Sequence, residues 1–211
     1  MRRRPTVRER FTSLPRGRVQ WAKASQAWFT LRKAGFYEPG QARPWLTFPA
    51  IRFLESLEGK DLRVLEFGSG ASSVWLTQRF AQVRSIEHDP QWAARVRAQG
   101  ADVVLADPGG DLWTGPADSD YLQAGRVGAP FDVVFVDGMA RLTCVEHIDE
   151  FVRPDGLVVV DDTDVEQMSQ VRQQLAAAGF AAIDFWGMRP GLGLESATTV
   201  FCRDFSGFLR G

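Results

Sequence analysis

At 211 residues, with 45% apolar and 11% aromatic side chains, the chain is long enough to bury one sizeable core, and its length favours one domain. No stretch approaches the roughly 20 apolar residues that a bilayer-spanning helix needs, and no charged start leads into an apolar signal core, so the expectation is a soluble cytoplasmic protein. Two cysteines without a C-x-x-C pair, Cys144 and Cys202, exclude a disulfide framework, and two histidines, His88 and His147, exclude a His-rich zinc site.

The net charge of −1 hides an asymmetry: residues 1–18 hold seven arginines and one acid, Glu9, leaving 18 basic against 25 acidic side chains in residues 19–211. A basic tail of this kind contacts nucleic acid or anionic lipid, or is simply solvated and flexible; Pro5, Pro15 and Gly17 interrupt any amphipathic helix and favour the solvated reading. The acidic body argues against a broad nucleic-acid face. Trp21, Ala24, Trp28 and Leu31 then recur at helical spacing and predict an amphipathic helix over 19–34. After a loop at 37–44, Thr47 and Pro49 suit the first turn of a second helix running to Leu57, so 19–58 reads as a helical cap and 59–211 as the main domain. Trp45 is either a packing residue or a wall of the substrate pocket.

The stretch 62–73, LRVLEFGSGASS, organises the rest. Leu62, Val64, Leu65 and Phe67 form an apolar run of the length of a strand buried on both faces. Gly68 and Gly70 let the backbone turn and approach a ligand, and Ser72 or Ser73 can cap the helix that follows. A dinucleotide site wants a third small residue where Ser73 stands, and Glu66 would repel a pyrophosphate but attract an ammonium group. The E-x-G-x-G form resembles the first motif of class I S-adenosylmethionine-dependent methyltransferases.

A second strand at 83–87 ends in Glu87, where an acid can accept hydrogen bonds from both ribose hydroxyls. Asp89 and Pro90 read as an N-cap and first helical residue, with His88 a turn residue between them. A third strand at 102–106 ends at Asp107, a partner for an adenine amino group or the opening of a turn at Pro108. Residues 108–130, rich in Gly, Asp and Pro, read as a long loop at the pocket rim. Strands at 131–136 and 157–160 deliver Asp137 and Gly138, then Asp161 and Asp162, each followed by a helix. Two strand-like segments at 180–186 and 197–203, with no helix between them, must pair as a hairpin. The fold expected is α/β: a single Rossmann-like domain with a mostly parallel seven-stranded sheet, a C-terminal antiparallel hairpin and N-terminal helices.

Taken together, the strings PWLTFPA, LEFGSGASS, SIEHD, VDGMAR with Cys144, VVVDDTD, IDFWG and TTVF resemble a bacterial group of class I methyltransferase-like proteins over residues 28–203. The resemblance implies that Glu66, Gly68, Ser69, Gly70 and Glu87 hold S-adenosylmethionine, with Asp137 at the junction of cofactor and substrate. The group often has Asp-Asn-Ser-Asp after its fifth strand, where this chain has Asp161, Asp162, Thr163 and Asp164.

Ligands in open α/β sheets sit outside the carboxyl ends of the strands, which gathers Asp137, Asp161, Asp162 and Asp164 in one corner. Such a group needs a proton, a Mg²⁺ ion or Arg141 to offset its repulsion. Asp164 with Gln167 also resembles a capping box. No metal ligand set is assigned, and the base is placed on Asp137 or Asp162. Tyr37, Trp45, Trp113 and Trp186 can form an aromatic pocket, with Trp186 read as core. The function expected is methyl transfer from S-adenosylmethionine to a small-molecule or sugar-like acceptor at oxygen. The alternatives are a non-catalytic module on the same fold, or methylation of RNA or protein through the arginine tail.

Overall fold

The computed structural model describes residues 42–59, 61–190 and 192–206; the expected helix over 19–34, the arginine-rich residues 1–18 and Tyr37 lie outside the described residues. Seven strands form one sheet: β1 (Arg63–Phe67), β2 (Gln82–Glu87), β3 (Val103–Leu105), β4 (Phe131–Val136), β5 (Val152–Val160), β6 (Ala181–Arg189) and β7 (Leu192–Cys202). Their order across the sheet is β3-β2-β1-β4-β5-β7-β6. The first five run parallel, and β7 enters antiparallel between β5 and β6. From β1 the chain steps outward to β2 and β3, then returns to place β4 on the other side of β1. That reversal opens a crevice at the carboxyl ends of β1 and β4, where open sheets bind ligands.

The helices are α1 (Phe48–Glu55), α2 (Ala71–Thr77), α3 (Pro90–Arg97), α4 (Asp120–Arg126), α5 (Arg141–Glu146), α6 (Ile148–Phe151) and α7 (Ser169–Ala177). Strand side chains alternate between two helical layers, as the period of two requires. Val64, Val133, Phe135, Leu157 and Val159 pack with Ile51 and Leu54 of α1 and with Trp75 and Leu76 of α2. Leu65, Phe67, Val134, Val136, Val158 and Val160 pack on the opposite face with Tyr121, Phe151, Val171 and Leu175. Burying each such side chain contributes about 1.5–3 kcal/mol, so the apolar runs can exist only with helices on both faces.

Thr47 pins α1 to the end of the sheet. Its N–H donates to Thr198 Oγ1 at 3.0 Å and its hydroxyl donates to the Phe185 carbonyl at 2.8 Å. The hydroxyl that would cap the helix is thus used to join it to β6, and the backbone N–H joins it to β7. Leu46, Ala50, Ile51, Leu54 and Leu57 share one apolar layer with the strands, so the described part of the expected cap is continuous with the core. Among the described residues no helix is long and apolar enough to cross a membrane.

The expected loop at 108–130 contains a helix, α4. Ser119 caps it, accepting from the Leu122 N–H at 3.4 Å, and Tyr121 and Leu122 are fully buried. Two turns are too short for a periodic pattern, and the Gly, Asp and Pro around them mask the two buried anchors. The terminal hairpin is also longer than its apolar segments indicate, because backbone pairing extends to Arg189 and Leu192. Gly125 lets α4 approach β1: a Cβ there would lie 2.6 Å from Phe67 Cζ and 3.1 Å from Phe151 Cε1. Gly125→Ala is expected to lose about 1–3 kcal/mol by overpacking, read from the urea midpoint. An unchanged midpoint would show that this contact relaxes freely.

Candidate functional site

The crevice is built from two turns that touch. After β1, the Gly68 N–H donates to the Ile86 carbonyl at 2.8 Å; after β4, the Asp137 N–H donates to the Phe67 carbonyl at 3.0 Å. Gly68 has φ +101°, and a Cβ on it would lie 2.9 Å from Gly138 Cα. A Cβ on Gly138 would lie 2.6 Å from Gly68 N and 2.3 Å from Tyr121 Oη. Neither position tolerates a side chain, and only backbone can fill the space between them.

At the start of α2 the structure corrects the expected cap. Gly70 occupies the N-cap position, and its N–H donates to Ser73 Oγ at 2.9 Å. The Ser73 hydroxyl in turn donates to Glu66 Oε2 at 2.5 Å, and the Ser85 hydroxyl donates to the same oxygen at 2.6 Å. Glu66 is 2% exposed and forms no ion pair among the described residues. Burial pushes its carboxyl up to about 7, against the pull of the serine hydroxyls. A carboxylate so placed needs a cation, and the protein supplies only neutral donors.

Glu87 ends the neighbouring strand. Its Oε2 accepts from the Ser69 N–H at 3.0 Å and the Ser69 hydroxyl at 2.9 Å, while Oε1 accepts from the His88 and Asp89 N–H groups at 2.8 and 3.0 Å. His88 Nδ1 lies 2.7 Å from Oε1 and the ring is largely exposed. Asp89 caps α3 as expected, accepting from the Gln91 and Trp92 N–H groups. The Trp92 indole N–H closes the turn by donating to the Ser69 carbonyl at 2.7 Å.

A cavity of about 340 Å³ opens here, and Glu66, Gly68, Ser69, Glu87 and Asp137 all line it. Gly70 is not in its wall; it shapes the turn behind it. Asp107 also stands outside, exposed, with its carboxylate accepting from the Gly109 N–H at 2.9 Å, the turn geometry that was the alternative to an adenine contact. His88, Asp89 and Gly138 line the cavity as well, together with Ser72, Trp92, Leu112 and Met139, which the sequence did not mark as site residues. Leu112 is held in place by its backbone. The carbonyls of Asp111, Leu112 and Trp113 accept from the N–H groups of Ala140, Arg141 and Leu142 at 2.9, 3.1 and 2.8 Å. These bonds satisfy the free donors of α5, which has no side-chain cap. The Asp111 carboxylate accepts from the Trp113 and Thr114 N–H groups, both at 2.8 Å, bonds that hold it below its ordinary range.

Two arginines offset part of the charge of the acidic corner. Arg141 Nη2 donates to Asp137 Oδ1 and to the Asp137 carbonyl, both at 2.9 Å. Arg189, in the segment expected as the hairpin loop, donates from Nη1 to Asp161 Oδ2 at 2.8 Å, from Nη2 to Asp162 Oδ1, and from Nε to Ser196 Oγ at 3.1 Å. The Thr198 hydroxyl donates to the other Asp161 oxygen at 2.6 Å. Burial, above all, raises the carboxyls of Asp137 and Asp161, with the arginines opposing it. Asp162 sits at φ +58°, in the left-handed region, with its side chain bound by Arg189. Asp164 accepts from the Ala197 N–H at 3.1 Å and ties the loop after β5 to β7, in place of the expected capping box with Gln167.

One oxygen from each of Asp137, Asp161 and Asp162 lies within 4.8 Å of the others, a spacing that suits a hard cation. The guanidinium groups already hold oxygens of all three, so a metal would have to compete with both. Trp113 packs against the core, whereas Trp45 and Trp186 are 54% and 52% exposed. Trp186 is therefore not core. On the edge strand β6 it faces away from Phe185, which packs on Phe53 with ring centroids 5.3 Å apart.

Residues 65–163 match the model of a family described as a methyltransferase domain. No curated protein matches the chain by sequence. Among solved structures, the chain resembles the O-methyltransferase TomG from Streptomyces achromogenes, determined in complex with S-adenosylmethionine (21% identity over 89% of this chain and 99% of that one, TM-score 0.53). It also resembles a TehB-like S-adenosylmethionine-dependent methyltransferase from Corynebacterium glutamicum (17%, 89% and 100%, TM-score 0.52). The ribosomal protein L11 methylase from Lactobacillus delbrueckii subsp. bulgaricus is a third such structure (16%, 74% and 77%, TM-score 0.52). The fold is thus the Rossmann-like fold of methyltransferases, with the expected seven-stranded sheet and antiparallel end.

Arg189→Met leaves Asp161 buried without its counter-ion and is expected to cost about 3–5 kcal/mol in urea denaturation. The folded-state pKa of Asp161 then rises further above its unfolded value, so the loss must be larger at pH 8 than at pH 5. Equal losses at the two pH values would contradict the assigned pairing.

Proposed function

We propose that the protein is an S-adenosylmethionine-dependent methyltransferase that methylates a hydroxyl of a small-molecule or sugar-like acceptor. The observation that carries this reading is the convergence of Glu66 and Glu87 on one cavity beside a turn with no room for side chains. Glu66, buried with neutral donors only, is the partner for the ammonium group of the methionine part. Glu87, at the next strand end, is the acceptor for a ribose diol. The Ser69 hydroxyl and the exposed His88 ring are the contacts such a diol would replace. Leu112, Met139 and Trp92 supply the apolar surface for the base. The match of residues 65–163 to a methyltransferase domain supports the same assignment.

The cofactor supplies an already activated sulfonium methyl, so the protein's task is alignment, worth on the order of 7–11 kcal/mol of barrier lowering. Asp137 lines the cavity and is held by Arg141, and its raised pKa brings it toward the range of a useful base. It takes the proton of the acceptor hydroxyl. Asp162, tethered by Arg189, stands next to it as the second carboxylate able to bind that hydroxyl.

Isothermal titration with S-adenosylmethionine and S-adenosylhomocysteine tests the first half of the proposal. Saturable binding is expected, weakened about tenfold or more by Glu66→Gln and by Glu87→Gln. Absence of binding by folded wild-type protein would overturn it. Once labelled-methyl screening finds an acceptor, Asp137→Asn is expected to lower kcat by about 10²–10⁴ while S-adenosylhomocysteine affinity changes little. A kcat that survives this substitution would remove Asp137 as the base.

A further inference from the structure

A second cavity, of about 400 Å³, lies at the opposite end of the parallel strands. Arg63 and Arg84, on neighbouring strands, form part of its wall, and each precedes by three residues the glutamate, Glu66 or Glu87, that lines the first cavity. At about 3.3 Å per residue, each strand separates its arginine from its glutamate by about 10 Å.

The arginines are positioned but not neutralised. Arg63 Nη1 donates to the Pro130 carbonyl at 3.0 Å, Nη2 to the Gly128 carbonyl, and Nε to Gln82 Oε1 at 3.2 Å. Its guanidinium carbon lies 5.1 Å from the Phe131 ring centroid. Arg84 donates one bond, from Nη1 to the Val127 carbonyl at 2.9 Å. Its Nε–H is buried and has no partner. Neither arginine forms an ion pair among the described residues, whereas Arg141, Arg172 and Arg189 each pair with an aspartate. Backbone carbonyls fix the orientation of both groups and leave their charge uncompensated.

We propose that this cavity is a second binding site, for a small ligand with one compact anionic centre, a carboxylate or a phosphate monoester, joined to an apolar group. The anion accepts from the unpartnered Nε–H of Arg84 and from the remaining N–H groups of both guanidiniums, each of which is a planar, charge-assisted set of donors. Val83 and the exposed Val127 supply apolar surface beside it. Asp102 is the single carboxylate in the wall, and it favours one compact negative centre over a polyanion.

The test is arginine side-chain NMR of the full chain, following Nε–H signals during titration with inorganic phosphate and with phenyl phosphate. The Arg84 Nε–H signal is expected to shift saturably, with phenyl phosphate binding more tightly than phosphate. Arg84→Gln should weaken phenyl phosphate about tenfold or more and leave S-adenosylhomocysteine binding unchanged. Gln82→Glu, which keeps both arginines and adds a carboxylate at an exposed position of the wall, should weaken it as well. No saturable shift in the wild type, or displacement of the probe by S-adenosylhomocysteine, would overturn the proposal.

Discussion

Everything at the site depends on one close approach of backbone to backbone, between Gly68 after β1 and Gly138 after β4. Two parallel strands side by side leave little room between the turns that follow them. Because neither Gly68 nor Gly138 carries a Cβ, the chain can leave both strands at once without forcing them apart. Glu66, two residues before one glycine, and Asp137, beside the other, then line the same cavity. Tyr121, the buried anchor of α4, brings its hydroxyl against Gly138 and so leaves no room for a side chain there.

The second constraint is electrostatic. Strand ends of a parallel sheet gather acidic residues, and this fold treats its acids in two ways. Asp137, Asp161 and Asp162 are paired with Arg141 and Arg189, and further bonds to Thr198 and Ser196 tie them to β7. Thr47 continues the chain of contacts to α1 through Thr198. The corner is consequently rigid, and the hairpin and the first described helix are held to it. Burial pushes the Glu66 carboxyl up to about 7, and the hydroxyl donors it receives only partly oppose that rise. Paired acids hold the architecture, while the unpaired one waits for a charge from outside.

The large apolar strands and the antiparallel end of a mostly parallel sheet were legible because burial on both faces writes continuous runs such as 131–136 into the chain, and because a missing helix between the last two segments forces a hairpin. Glu66, Gly68, Ser69, Glu87 and Asp137 were legible as a group because strand ends and glycines mark position directly. Other parts depend on tertiary contact that has no local signature. Arg189 sat in a Gly- and Pro-rich segment that read as a turn, and only the length of β6 carries it to Asp161. Trp92 and Leu112 reach the cavity through a helix cap and a loop held by backbone bonds. Asp107 had two readings, and the turn at Gly109 takes its carboxylate away from the cavity. Trp186 looks like core by composition and is exposed because its strand is the sheet edge.

The most direct measurement of the account is the proton balance of cofactor binding. Titration of S-adenosylhomocysteine at pH 6 in buffers of different ionisation enthalpy reports how many protons leave the protein on binding. With the Glu66 carboxyl near 7 in the free protein, an arriving ammonium group should expel about one proton, and Glu66→Gln should abolish the release. Binding with no proton release would contradict the central claim that Glu66 receives the charge of the ligand.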